Sequence, residues 1–429
     1  MRAWAADKGS LLDVDGIGRR LEFALRGGET QIRVDDFGDA SCMFVRRSNL
    51  DDALRLELAG HFTVTAPAAG GWLACPTGTH PFAYWSPALP RCRKLGSHGH
   101  ILAERDAELS SVRIAADGIQ ATVEPVAGHT VDCAVWRLPA ILAHELHSAH
   151  TLEQQKYFLW GSHTSFGRPA HLYRHVVFGA VYEDRFSWPH KRRICSENDA
   201  HALFVLLTGL ARSTGKRVYH LLRRQIALSV VARQAPDGAF RHGEWTDSME
   251  SHYRLHCSAM HLMVDALAER PDAGLAEALG RAASFLAHQA VPVGFGQWLL
   301  HDELEHSVAQ LKQGPFNWVP SAVFGKSESN MLVLNSHLDA TIALDRNAQV
   351  TRDQQHAPLV QAARESTRAV LGLRSAEPLY RMLFWLIGLT FLPAAEAAAL
   401  PLWKRALKRL AWKYLISACP TSRRAGRGW

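Results

Sequence analysis

Ala232-Arg-Gln-Ala235 returns 55 residues later as Ala287-His-Gln-Ala290, and the loop after each copy returns with it. A Gly and a Phe come next, then Glu244-Trp245 after the first copy and Gln297-Trp298 after the second. A repeat of this length holds two helices and a loop. Such a unit cannot bury its apolar face alone, so its copies stack into an open array or close into a ring. From residue 196 the chain reads as helix after helix, over 202–210, 216–234, 247–267, 275–289, 330–344 and 359–373. The connections carry breakers such as Pro236-Asp-Gly238, Pro271-Asp-Ala-Gly274 and Pro292-Val-Gly294.

Residues 1–140 follow a different period. Arg20 to Phe23 and Thr30 to Val34 flank a Gly27-Gly28 turn, a hairpin signal. Residues 54–65 form one extended candidate, and 111–115 and 119–123 flank the turn Ala116-Asp-Gly118. The intervals are too short for crossover helices, which favours an antiparallel sandwich or open barrel over a parallel sheet. Residues 141–195 are a junction, with 141–158 expected as helix and 160–169 as loop. The expected class is therefore α+β multidomain: a β-rich unit (1–140), the junction, a toroid-like array of helical hairpins (196–375), and C-terminal helices (376–429).

The charge of +7 is a property of the tail. Eight basic residues and no acid lie between 397 and 429, which leaves 40 basic against 41 acidic residues elsewhere. No nucleic-acid partner is implied for a central pocket. The seven cysteines are odd in number and form no CxxC pair, so neither a disulfide framework nor a zinc ribbon is expected. The polar N-terminus has no apolar stretch of signal-peptide length, and a reducing cytoplasmic setting is the expectation.

The loop and helix start between Pro236 and His256 are the densest in chemistry. His242, Glu244, Trp245, Asp247, Glu250, His252, Tyr253 and Arg254 all fall there. On a helical wheel Met249, Tyr253, Cys257, Met260, Val264 and Leu267 form an apolar stripe, flanked by His252 and His256 on one side and Glu250 and Arg254 on the other. Asp247 and Glu250 have the spacing of a capping box, and Glu250 with Arg254 that of an i,i+4 ion pair. His252 and His256 share a face as metal ligands do, but a third ligand is not visible and HExxH does not occur, so no metal is expected.

Two later clusters echo the first: His301-Asp-Glu-Leu-Glu-His306, and Asn335-Ser-His337-Leu-Asp339. A ring would bring all three helix starts to one end. Gly325-Lys-Ser327 is no P-loop, because position 320 is proline. No cofactor motif is present. Arg192 and Arg193 have the forked donors that grip a carboxylate or a phosphate.

Helical hairpins with Trp-, His- and acid-bearing loops behind a β-rich unit resemble the α/α-toroid carbohydrate-active proteins, which include uronyl epimerases, polysaccharide lyases and glycosidases. Asn330-Met-Leu-Val-Leu-Asn-Ser-His-Leu-Asp-Ala-Thr-Ile-Ala-Leu-Asp345 is similar to the Asn-rich helix near the end of glucuronyl epimerase domains. The local match covers sixteen residues; the architectural resemblance runs from about 196 to 373. It implies a glycan in a cleft at the helix starts, with Trp245 and Trp298 as stacking platforms. Glu244, Asp247 or Glu250 would then be acid or base. His242, His252 and Tyr253 would take a proton from a uronic-acid carbon, while Arg254 or Arg193 neutralises the carboxylate. Asn335, His337 and Asp339 would complete the substrate-binding set.

At the C-terminus, residues 382–392 are strongly apolar but too few to span a bilayer. Residues 401–416 read as a basic amphipathic helix suited to an anionic membrane surface, which would make the protein peripheral on the inner membrane. The competing function is a non-catalytic helical-repeat scaffold, linked to polysaccharide assembly. A terpenoid-type toroid is disfavoured by the lack of a DxDD or DDxxD cluster.

Overall fold

The computed structural model describes residues 10–14, 16–25, 30–48, 54–88, 90–95, 101–106, 109–115, 118–124, 126–159, 164–171, 197–241, 243, 245–246, 250–316, 318, 320–373 and 377–416. Arg193, His242, Glu244 and Asp247, all expected at the site, lie outside them. The chain forms two compact units, 1–364 and 365–429.

Unit one begins with strands β1 (Ser10–Val14), β2 (Gly18–Ala24), β3 (Thr30–Asp36), β4 (Ser41–Arg47), β5 (Leu54–Ala59), β6 (Phe62–Thr65), β7 (Trp72–Pro76), β8 (Phe82–Ser86), β9 (Arg91–Leu95), β10 (Ile101–Asp106), β11 (Leu109–Ala115), β12 (Gly118–Val123) and β13 (Thr130–Pro139). Every pairing is antiparallel. The larger sheet runs β1-β2-β3-β4-β13-β8-β7-β6, with β9 also on β13 and β10 on β9; the smaller is β11-β12-β5. The expected strand over 54–65 breaks in two. Gly60 turns with φ 130°, where a Cβ would meet the Phe62 ring at 2.8 Å, and the chain leaves the small sheet for the large one.

The period of β13 sets the layers. Val131 and Cys133 join Val45, Leu54 and Val123 in a core between the two sheets, while Ala134, Trp136 and Leu138 join a core shared with the helices. Asp132 lies between, fully buried, and is matched by Arg46 at 2.7 Å and Arg93 at 3.1 Å, as a buried carboxylate requires.

The junction does not form the helix expected over 141–158. It is a short turn of helix at Ala143–His147 between two 3-10 turns, followed by a hairpin of β14 (Tyr157–Leu159) and β15 (Thr164–Phe166). Lys216 holds Glu153 at 2.7 Å, so the segment is anchored to the helical region rather than to a helix of its own.

Three hairpins come next: α1 (Glu197–Thr214) with α2 (Val218–Val231), α3 (Tyr253–Glu269) with α4 (Ala273–Ala287), and α5 (Leu334–Thr351) with α6 (Ala357–Gly372). The first helices of each pair lie side by side and run the same way. Ser258 reaches Asn198 and Asp265 reaches His201 across α3 and α1; His261 reaches Asp339 and Asp265 reaches Arg346 across α3 and α5. A buried joint ties the hairpins to the large sheet: Arg20 bonds Asp35 at 2.6 Å and Ser229 of α2 at 2.7 Å. Between α4 and α5 stands a small hairpin, β16 (Ala290–Val293) and β17 (Gly296–Leu299).

Unit two holds α7 (Glu377–Thr390), α8 (Ala394–Ala399) and α9 (Leu402–Ala411), the last continued by a π turn to Ile416. Among the described residues no helix is long and apolar enough to cross a membrane.

Candidate functional site

Helix α3 begins at Tyr253 rather than at 247, because Ser251 and His252 are spent on the segment 301–303 that follows the β16–β17 hairpin. The Tyr253 amide donates to the His301 carbonyl at 3.0 Å, and the Glu303 amide to the Ser251 carbonyl at 3.0 Å, so 251–252 run as an extended bridge. His252 becomes the cap, its Nδ1 accepting the Arg254 amide at 3.2 Å. Glu250 is buried and turned back on its own loop. It accepts the Trp245 amide at 2.6 Å, the Thr246 amide at 3.0 Å and the Thr246 hydroxyl. It does not form the expected ion pair with Arg254 and is not placed as an acid or base; the expected capping box rests on Asp247, outside the described residues.

The buried side of the hairpins holds more of the expected residues. The Tyr253 hydroxyl meets Gln289 at 2.9 Å and His306 at 3.2 Å, and burial, then Glu303, hold its phenol well above the ordinary range. His256 donates from Nε2 to the Ala282 carbonyl at 2.9 Å between Phe240 and Phe285, and burial lowers it to about 4. His337 repeats this on α5, donating to the Ala363 carbonyl at 3.1 Å and accepting the Leu299 amide at 3.0 Å; burial lowers it too to about 4. Each is the fourth residue of its helix and bonds a carbonyl 26 positions on. Trp298 lies flat on His337 at 3.9 Å and is fully buried, so it has no face open to a sugar. Its expected role as a platform is withdrawn, and Tyr253 and His337 are held as parts of the core.

The helix starts do converge. The His252 and His301 rings stand edge to face with centroids 4.4 Å apart. Trp245, partly exposed, lies 5.8 Å from His252 and 5.2 Å from Phe316. Ser336, at the start of α5, bonds His301 Nδ1 at 2.6 Å. Arg254 is exposed beside this group. Burial, then the Arg254 charge, lowers His301 to about 4, so its ring is neutral at ordinary pH. The nearby acids are committed to backbone amides: Glu303 to Ser251, Asp302 to Leu304, and Glu305 to both His301 and Met331. Burial raises Glu305 to about 7.

From this end a polar ridge runs along the hairpins. Arg254, Ser258, His261 and Asp265 line α3 at i, i+4, i+7 and i+11, and Asn335, Asp339 and Arg346 line α5 at i, i+4 and i+11, with Ile342 exposed between them. A chain of hydrogen bonds crosses it. Asp339 meets His261 Nε2 at 3.1 Å, His261 Nδ1 faces Arg346 at 3.0 Å, Arg346 holds Asp265 at 2.6 Å, and Asp265 meets His201 at 3.0 Å. The arginine is only a donor, so His261 Nδ1 accepts and its proton sits on Nε2 toward Asp339. Burial would raise Asp265, but the bonds from His201 and Arg346 outweigh it and leave its carboxyl below the usual range.

Of the expected residues, the fold thus brings His252, Trp245, Arg254, Asn335 and Asp339 to one end and its adjoining ridge, and turns Glu250, Tyr253, Trp298 and His337 inward. His301 was named only within its cluster, with no role of its own, and Phe316, His261, Asp265 and Arg346 were not singled out. A wheel drawn for the polar rather than the apolar face of α3 shows His261 and Asp265 in line with Arg254. A cavity of about 280 Å³ elsewhere, between Ile17, Phe204, Arg223, Arg224, Glu269 and Asp272, includes none of the expected residues. Among the described residues no group of three His, Cys, Asp or Glu side chains is arranged to hold a metal ion. No family model matches this chain, and no curated protein matches it.

Proposed function

We propose that the three hairpins form an arc of α/α-toroid type and that their joined starts bind an acidic glycan and move a proton on it. One observation carries this reading: two imidazoles in contact, rimmed by Trp245 and Phe316, beside an exposed arginine. A glycosidase needs two free carboxylates across the bond. The described acids at this end are bound to amides, which favours chemistry run by imidazole. Arg254 takes the carboxylate of a uronate residue, and the sugar face stacks on Trp245. Burial is the larger cause that depresses His301 and the Arg254 charge the smaller; the carboxylate cancels the second, so binding strengthens that base.

In the proposed cycle Ser336 accepts from His301 Nδ1, leaving Nε2 to remove the proton from the carbon next to the carboxylate. The electron pair passes into the carboxylate as an enolate held by Arg254. His252, whose proton sits on Nε2 because Nδ1 accepts an amide, returns a proton from the side it shares with His301, so the carbon exchanges its hydrogen with solvent. Expulsion of the neighbouring glycosidic oxygen instead gives an unsaturated uronate.

The test is incubation of the full chain with a panel of uronate polymers in deuterium oxide. Deuterium at the carbon bearing the carboxylate, or ultraviolet absorbance of an unsaturated uronate, is expected, with a loss on the order of a hundredfold or more in His301→Ala and in His252→Ala. Exchange that is unchanged in both variants contradicts the assignment. Binding of a polymer without any exchange points to the scaffold reading.

We also infer that the protein is peripheral on an anionic membrane face, such as the inner membrane, through residues 401–416. Trp403, Trp412 and Tyr414 are exposed there among Lys404, Arg405, Lys408, Arg409 and Lys413. Removal of residues 397–429 should abolish co-sedimentation with anionic liposomes; equal binding by both forms contradicts it.

A further inference from the structure

We propose that α7 is a second membrane arm, so that α7 and α9 together form a two-helix wedge that enters one leaflet of an anionic bilayer. This rests on the peripheral reading of residues 401–416 and adds to it the part of the surface that is buried in lipid. The observation is an apolar helix left uncovered. Leu379, Tyr380, Met382, Phe384, Trp385 and Phe391 are all exposed to solvent, whereas helices of unit one turn their leucines into a core. Between Met382 and Leu392 there is no charged side chain. The helix is 14 residues long, about 21 Å at 1.5 Å per residue, which is short of the roughly 30 Å of a bilayer core. It suits a helix lying within one leaflet rather than crossing it.

The pairing with α9 identifies the occupant. Trp385 and Trp403 meet with ring centroids 6.2 Å apart, and Lys408 bonds the Leu392 carbonyl at 3.2 Å, which folds the two helices into a hairpin. Leu389, Thr390 and Ala411 are buried there. No acid follows Glu396, while α9 and its π turn carry five basic residues. Lys404 lies over Trp403 at 5.2 Å and Lys413 over Tyr414 at 5.1 Å, so cation and ring sit together as they do at the level of lipid headgroups. A second copy of this hairpin would bring the same positive charges face to face. An anionic lipid surface matches both the charge of α9 and the uncharged apolar surface of α7.

The experiment uses the full chain and vesicles of phosphatidylcholine with or without phosphatidylglycerol. Two double variants are compared at exposed positions: Arg405→Glu with Arg409→Glu, and Phe384→Ser with Phe391→Ser, each checked for unchanged thermal unfolding. Wild type should bind the anionic vesicles. The arginine variant should lose affinity on the order of tenfold or more, and the phenylalanine variant on the order of tenfold at unchanged charge, with residual binding that high salt removes. If the phenylalanine variant binds like wild type while the arginine variant does not, α7 stays out of the bilayer and the wedge is overturned, although the α9 reading stands. If wild type binds no vesicle, the peripheral reading itself fails. If wild type is a lipid-free dimer that the phenylalanine substitutions dissociate, and vesicles are not bound, a second copy covers α7 and the proposal is overturned.

Discussion

Trp245 and Trp298 come after the two copies of one sequence echo, yet they have opposite fates. After α2 the loop stays open and leaves Trp245 at the rim with His252 and Phe316. After α4 the loop becomes the β16–β17 hairpin and presses Trp298 onto His337 in the core. The histidines divide in the same way. His256 and His337 donate to backbone carbonyls, whereas His252, held by one backbone amide, turns its ring to His301, His301 bonds the Ser336 hydroxyl, and His201 and His261 bond acids of neighbouring helices. A side chain whose bonds close on the backbone belongs to the fold. One that leaves a ring edge or a nitrogen to other side chains can be re-paired there by a ligand without unfolding anything.

The contrast breaks first at the tryptophans. Trp298→Ala removes a fully buried ring and should cost about 3–5 kcal/mol in urea unfolding. Trp245→Ala should cost about 1 kcal/mol or less but weaken uronate-polymer binding on the order of tenfold. Equal losses of stability would erase the distinction.

Acid should attack the buried histidines next. His256 and His337 are lowered to about 4 in the folded chain, so the unfolded chain takes up protons that the native state refuses as pH falls below about 6.5. Their contribution is present above that pH and is lost as pH falls through 4, on the order of 3 kcal/mol for the fully buried His256. His256→Phe should flatten the acid limb of the unfolding midpoint against pH; an unaltered limb would assign acid sensitivity elsewhere. Glu305 acts in the other direction. Raised to about 7, it contributes stability below its unfolded pKa that is lost as pH rises through 7. Two histidines act against one carboxylate, so a maximum in stability near pH 7 is expected from these groups together.

The ridge should show the smallest effect. Its ion pairs are partly exposed, so Asp339→Asn should cost about 1 kcal/mol or less and should be masked by salt. A large, salt-independent loss would move this network from the exposed class to the structural one.

The hairpins were legible because the Ala-x-Gln-Ala echo marks where α2 and α4 end, and the sheet because its alternation and turn residues are local. The start of α3 was not. Glu250-Ser-His252 has helical spacing, but its backbone bonds go to 301–303, fifty residues away, and nothing local announces that. The expectation that polar clusters at successive helix starts would meet agrees with the contact of His252 and His301 and the bond from Ser336. Which member of each cluster faces inward was hidden, because His252 and His256 differ by one helical turn and only packing separates them. The apolar stripe of α3 drew attention away from its polar edge, where His261 and Asp265 stand.

Burial, then Arg254, restrains His301 as the proposed base, and titration of that ring by NMR tests this most directly. In the free protein the midpoint should lie near 4. It should rise in Arg254→Gln without any ligand, and it should rise in the wild type when a glucuronate oligosaccharide is bound. A midpoint that is the same in the free wild type, the variant and the saturated complex would contradict the coupling on which the proposed chemistry depends.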